Sequence, residues 1–163
     1  MSFDGREVAN FVLDVCESNG RPITNLSLQK IVYFCHVWAL VKLGKPLVKQ
    51  KFEAWQFGPV LQYLYREFKQ FEREPITSRA KKIDPVSGFK EIVGYSFDNE
   101  TEQFLRKVIT VYSTISPGNL VELSHAEGGP WDQAWNHDGK INPGMAIEND
   151  VIVSYYSGSL VPI

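Results

Sequence analysis

The side chains best suited to chemistry lie in one short stretch of the chain: His125, Glu127, Asp132, His137 and Asp138. His125 and Glu127 could act as a general acid and base, provided that they come within hydrogen-bond reach of a shared substrate proton. A zinc site asks for ligands at helical or turn spacing, such as H-x-x-x-H with a carboxylate. His125 and His137 are instead twelve positions apart, with no cysteine near them. His36, inside an apolar stretch, reads as a hydrogen-bonded core histidine. The chain has no G-x-x-x-x-G-K-[ST], G-x-G-x-x-G or G-x-S-x-G segment, so phosphate cradles, dinucleotide sites and nucleophile elbows are not indicated. The expectation is a protein that is not an enzyme, with no catalytic residue, cofactor or metal. A His/Glu-based (metal) hydrolase stands as the rival reading.

Two other segments stand out: Phe52-Glu53-Ala54-Trp55-Gln56-Phe57-Gly58-Pro59-Val60 and Leu123-Ser124-His125-Ala126-Glu127-Gly128-Gly129-Pro130-Trp131. Each sets large rings beside a Gly-Pro pair. Glycine permits close backbone approach, and proline removes a donor and pins φ. Such corners pack their tryptophans and present the neighbouring polar side chains rigidly, which lowers the entropy lost on binding.

The elements that would position them read mostly as helices. Asp4 and Glu7 have capping-box spacing, Val8, Phe11, Val12 and Val15 follow at helical spacing, and Asn19-Gly20 stops that helix. A second helix, about 27–43, is apolar nearly all round, the mark of a central buried helix. Gly44 and Pro46 end it. Short alternating stretches, Pro46 to Val48 and Lys51 to Phe57, fit a small β-hairpin at about 46–57. Gly58-Pro59 reads as the opening of a third helix with the stripe Val60, Leu61, Leu64, Tyr65 and Phe68. Residues 72–97 form a polar connector, long enough for part of it to be functional or mobile. Asp98 caps a helix carrying Leu105, Val108, Ile109 and Tyr112, Ser116-Pro117 starts another, and Gly129-Pro130 a short one. The tail from Asp150 to Tyr156 fits a strand by propensity and a helix by spacing. The fold class expected is mainly α, a compact helical domain around the 27–43 helix, with residues 1–163 as one domain.

Composition is that of an ordinary globular chain, 44% hydrophobic and 22% charged. The net charge of −2 hides an asymmetry: residues 1–82 carry 13 Lys/Arg against 8 Asp/Glu, and residues 83–163 carry 4 against 11. That uneven charge is either solvated or steers a charged partner. No basic stripe interleaved with aromatics is present, so nucleic-acid binding is not suggested. Cys16 and Cys35 both fall in apolar helical patterns and read as buried, reduced thiols. The longest apolar run, Ile31 to Val41, is interrupted by His36 and is shorter than the ~20 residues of a membrane span. Charged residues Asp4, Arg6, Glu7 and Asp14 break any signal-peptide pattern. A soluble, cytoplasmic protein without membrane contact is expected.

The order of motifs resembles a known family. Leu28-Gln29-Lys30 leads into Ile31-Val32-Tyr33-Phe34, then come Gly44-Lys45-Pro46-Leu47, the Phe52–Val60 segment, Tyr65-Arg66-Glu67-Phe68, and Leu123-Ser124-His125 with Pro130-Trp131. Over about residues 5 to 157 this order resembles the Panacea domain, the SocA-like antitoxin family long described as phage-associated. Members often carry Thr-His where this chain has Ser124-His125, a change that keeps the hydroxyl. The resemblance implies a helical domain with small strands and tips the tail towards a helix. It implies an antitoxin of a toxin–antitoxin pair, which neutralises a cognate protein toxin encoded by a neighbouring gene through direct contact. In the alternative, an adaptor, the toxin is delivered to a protease. The residues expected to touch the partner are Gln56, Tyr63, Arg66, His125 and Glu127, beside the two corners.

Overall fold

The computed structural model describes residues 2–162. Its first helix, α1 (Gly5–Ser18), starts where the capping box puts it. Asp4 accepts from the Arg6 amide at 2.9 Å, and Glu7 accepts from the Asp4 amide at 3.0 Å. Burial alone would raise the Asp4 carboxyl, but its bonds to the Arg6 guanidinium and amide outweigh that and hold it down at about 2. Val8, Phe11, Val12 and Val15 are buried, so the apolar stripe faces the core as its spacing predicts.

The central helix α2 (Asn25–Trp38) begins two residues earlier than expected, because the Thr24 hydroxyl supplies the cap by accepting from the Ser27 amide. It continues as a wider π-type turn, Ala39–Leu43, and stops at Gly44 in the left-handed region. Asn25–Leu43 is long and apolar enough to cross a membrane by length and composition, which the shorter Ile31–Val41 run was not. Most of it is instead buried inside the fold, against α1 and the later helices.

The hairpin differs from the expected 46–57. Strand β1 (Phe52–Trp55) pairs antiparallel with β2 (Gly58–Val60), so the hairpin spans 52–60, while Val48 makes only a bridge to Phe3. Gly58-Pro59 therefore does not open a helix. The next helix, α3 (Gln62–Phe68), starts after Leu61, with Leu64 and Phe68 buried. The connector at 72–97 contains a two-stranded ribbon, β3 (Lys81–Ile83) with β4 (Lys90–Ile92). Then follow α4 (Asn99–Tyr112), capped by Asp98, and α5 (Pro117–Ser124), capped by Ser116. Glu102 and Arg106 of α4 stand 3.8 Å apart, as their i,i+4 spacing suggests.

After α6 (Pro130–Trp135), β5 (Met145–Ile147) adds a third strand by pairing with β1, giving the order β2-β1-β5. The tail is helix α7 (Asn149–Tyr156). The fold is mainly helical, with small antiparallel sheets of three and two strands.

One hydrophobic cluster joins these elements, with α2 at its centre. His36 is the bonded core histidine expected. Its Nδ1 accepts from the Val48 amide at 3.0 Å, so Nε2 carries the proton donated to Asn149 Oδ1 at 2.9 Å. Burial pushes its pKa down, which keeps the imidazole neutral. Cys16 and Cys35 are free and buried. Trp38 is buried, meets the ring edge of Tyr156, and donates from Nε1 to Tyr112 Oη at 2.9 Å. Trp38→Ala is expected to cost roughly 3–5 kcal/mol through the cavity and the orphaned Tyr112 hydroxyl, as read from urea midpoints.

Candidate functional site at the paired corners

The first corner is the β1–β2 turn. Its register sets Trp55 opposite Gly58, leaving Gln56 and Phe57 as the loop. Both loop residues are exposed, Phe57 to 58%. Gly58 has φ +108°, and a Cβ there would lie 2.5 Å from Ser124 Oγ and 2.6 Å from Lys30 Cε. Glycine is required here twice over, for conformation and for space.

What lies beneath is polar. From α2, Asn25, Gln29 and Lys30 are all buried. Gln29 Nε2 donates to Asn25 Oδ1 at 3.0 Å, one helical turn back, and Asn25 Nδ2 donates to the Tyr65 carbonyl at 3.0 Å. Gln29 Oε1 accepts from the Leu61 amide at 3.1 Å, and Lys30 Nζ donates to the Pro59 carbonyl at 3.1 Å. These side chains take up main-chain groups where the chain leaves β2 and enters α3, a helix with no side-chain cap of its own.

The second corner closes onto the first. α5 ends at Ser124, and Gly129-Pro130 starts α6. Trp131 Nε1 donates to the Trp55 carbonyl at 2.8 Å. The His125 ring stacks on Trp131, with centroids 3.7 Å apart and planes 12° from parallel. Asp132 folds back to accept from the Gly128 amide at 2.8 Å and from Asn136 Nδ2 at 2.6 Å. Around Trp55 and Gln56 lie two hollows. A cleft of about 240 Å³ is walled by Leu26, Phe57, Val60 and Tyr65, and an open depression of about 430 Å³ lies towards Trp135 and Pro143.

The expected contact residues have different fates. Gln56 lines both hollows, and Arg66 and Glu127 are exposed on α3 and on the α5–α6 loop. His125 is half-buried against Trp131, and its Nε2 has no partner. Tyr63 turns away from the corners, with its ring beneath the Arg6 guanidinium at 5.7 Å and its hydroxyl against Gly5, buried and unpartnered. Of the acid/base candidates, His125 is stacked on Trp131, Asp132 accepts from the Gly128 amide and Asn136, and Glu127 is exposed. Among the described residues no three His, Cys, Asp or Glu side chains gather as metal ligands. The pieces missed from sequence are Asn25, Gln29, Lys30 and Phe57. The usable signal for Gln29 and Lys30 was two adjacent long polar residues inside a helix apolar nearly all round.

Burial pushes the Lys30 amine down to about 7. Burial also lowers His125, with the charge of Lys30 adding to the effect. The unfolded chain binds more protons at Lys30 than the folded one between about pH 7 and the ordinary lysine range, so stability rises with pH across that window. The wild-type chain is expected to gain up to about 1.4 kcal/mol per pH unit between roughly pH 7 and 8, before the thiols of the unfolded chain, which burial keeps protonated in the folded one, ionise and oppose the gain. Lys30→Met should flatten that slope in urea melts. An unchanged slope in the variant would remove Lys30 as its cause.

Comparison with known proteins follows the same segments. A family model described as "Antitoxin SocA-like, Panacea domain" matches residues 28–132, from the Leu28-Gln29-Lys30 run to Asp132 behind the second corner. Over 152 residues the chain is 41% identical to "Antitoxin SocA" of Caulobacter vibrioides (strain NA1000 / CB15N), covering 93% of this chain and 81% of that protein. No solved structure matches it. The chain belongs to the SocA-like antitoxin family and carries its Panacea domain.

Proposed function

We propose that this chain is a cytoplasmic antitoxin that neutralises a cognate protein toxin, encoded by a neighbouring gene, by binding it directly and without catalysis. Residues 1–163 act as a single Panacea domain in this reading. The observation that carries it is the tying of the first corner to α2, through Lys30 to the Pro59 carbonyl, and of the second corner to the first, through Trp131 to the Trp55 carbonyl. The result is a rigid face from which Gln56 and Phe57 project beside an apolar cleft. Large exposed apolar side chains on a fixed backbone suit a protein partner, because little conformational entropy is lost on contact.

Within the expected set, Gln56, Arg66 and Glu127 are the side chains proposed to touch the toxin. His125 and Tyr63 are proposed to act from beneath, His125 by bracing Trp131 and Tyr63 by bracing the start of α1.

Co-expression with the adjacent reading frame tests the proposal. The neighbour should be toxic alone, harmless with the wild-type chain, and retained in a stable complex. Phe57→Ala should weaken that complex by roughly tenfold with no change in melting temperature. A harmless neighbour that forms no complex would rule the proposal out.

A further inference from the structure

The β3–β4 ribbon stands on one buried side chain. Asn10 of α1 donates from Nδ2 to the carbonyls of Ala80 at 3.0 Å and Val93 at 2.8 Å, and its Oδ1 accepts from the Ala80 amide at 2.8 Å. All three residues are buried, so the root of the ribbon is riveted to the core. A two-stranded ribbon alone in water is marginal; this one is held at its base and exposed beyond it.

Its register decides what it presents. Lys81 lies opposite Ile92, Lys82 opposite Glu91, and Ile83 opposite Lys90. Successive side chains alternate between faces, so Lys81, Ile83, Lys90 and Ile92 share one face, and Lys82 and Glu91 share the other. The first face carries two cations and no carboxylate, and among the described residues neither lysine is in an ion pair. Ile83 and Ile92 are 63% and 61% exposed, and at the tip Val86 and Phe89 reach 92% and 74%. Four large apolar side chains together on one short ribbon differ from the scattered single exposures of an ordinary surface.

The backbone is open on one edge. The Val93 amide donates to the Ala80 carbonyl at 3.0 Å and the Asp84 amide to the Phe89 carbonyl at 2.9 Å. Hydrogen-bonded pairs therefore fall at Ala80–Val93, Lys82–Glu91 and Asp84–Phe89, and the positions between them point their amides and carbonyls outwards. On the β3 edge the Lys81 amide is taken by Glu67 Oε1 at 3.0 Å. On the β4 edge, Lys90 and Ile92 are exposed residues, and among the described residues nothing hydrogen-bonds to their outward amides or carbonyls.

We infer that this ribbon is a docking arm that takes an extended segment of the toxin, alternating acidic and apolar residues, as a strand added to the β4 edge. The inference rests on the antitoxin reading and gives it a second contact surface. Strand addition draws affinity from main-chain bonds and specificity from alternate side chains. The basic and apolar alternation of this face calls for acidic and apolar alternation in its complement. A second copy of the chain fits less well, since pairing two such edges about a two-fold axis sets like charges side by side. Nucleic acid fits less well too, because two lysines set among aliphatic side chains neutralise few phosphates.

The test uses the full chain and the protein encoded by the adjacent reading frame. Lys81→Glu/Lys90→Glu and, separately, Lys90→Pro, which removes an outward amide from the edge, should each weaken the complex by roughly tenfold or more. Far-UV circular dichroism and melting temperature should stay those of the wild type for the charge reversal. If the complex forms and the charge-reversed chain binds within about twofold of wild type, the ribbon inference fails while the antitoxin reading stands. If the wild-type chain does not retain the neighbour, both fail. A variant that changes only self-association assigns the edge to a second copy, and one that only releases bound nucleic acid assigns it there; either overturns the inference.

Discussion

A lysine amine lies at the centre of this fold with no counter-charge beside it. Lys30 is fully buried, and among the described residues its one hydrogen-bond acceptor is the Pro59 carbonyl. Carrying a charge into such a site is costly, and the amine responds by titrating near neutrality. What this costly side chain achieves is a tether. With Gln29 holding the Leu61 amide, it fixes the exit from β2 and the entry to α3 onto α2. The requirement for glycine at position 58 follows, since any larger residue would collide with the lysine stem and with Ser124. The second corner then has a defined surface to close on, through Trp131 and the Trp55 carbonyl.

The rest of the domain is arranged so that α2 can be buried on every side. α1 and α4 cover one part of it, α5 and α7 others, and the β2-β1-β5 sheet lies beside the corners. Polar groups inside this core are used as joints. His36 ties the segment before β1 to the start of α7, and Asn10 ties α1 to the ribbon. Each satisfies main-chain groups that no regular ladder reaches, which is what allows irregular segments to sit against a buried helix.

The proposed function draws on those joints. The chain exposes large apolar side chains at two places, Phe57 at the corners and the tip and face of the ribbon. Both projections are anchored by buried polar residues of the helices beneath, Lys30 and Gln29 for one and Asn10 for the other.

Local physics made much of this legible from sequence. Helix starts at Asp4, Asp98 and Ser116 depend on hydrogen bonds within three residues, and the burial of α2 follows from its apolar circumference, so both could be read directly. The order of five short motifs along the chain, the two corners among them, was enough to suggest the family. Tertiary structure decided the rest, because the deciding partners are distant in sequence. Gly58-Pro59 has the local form of a helix start, yet it lies in a strand: β1 pairs with it, and Lys30, 29 positions away, holds its carbonyl. β5 is three residues with no alternation to detect, and it is a strand only because β1 offers an edge to it. The placing of Tyr63 against α1, of His125 flat on Trp131, and of Asn10 under the ribbon likewise rests on contacts between segments that share no local pattern.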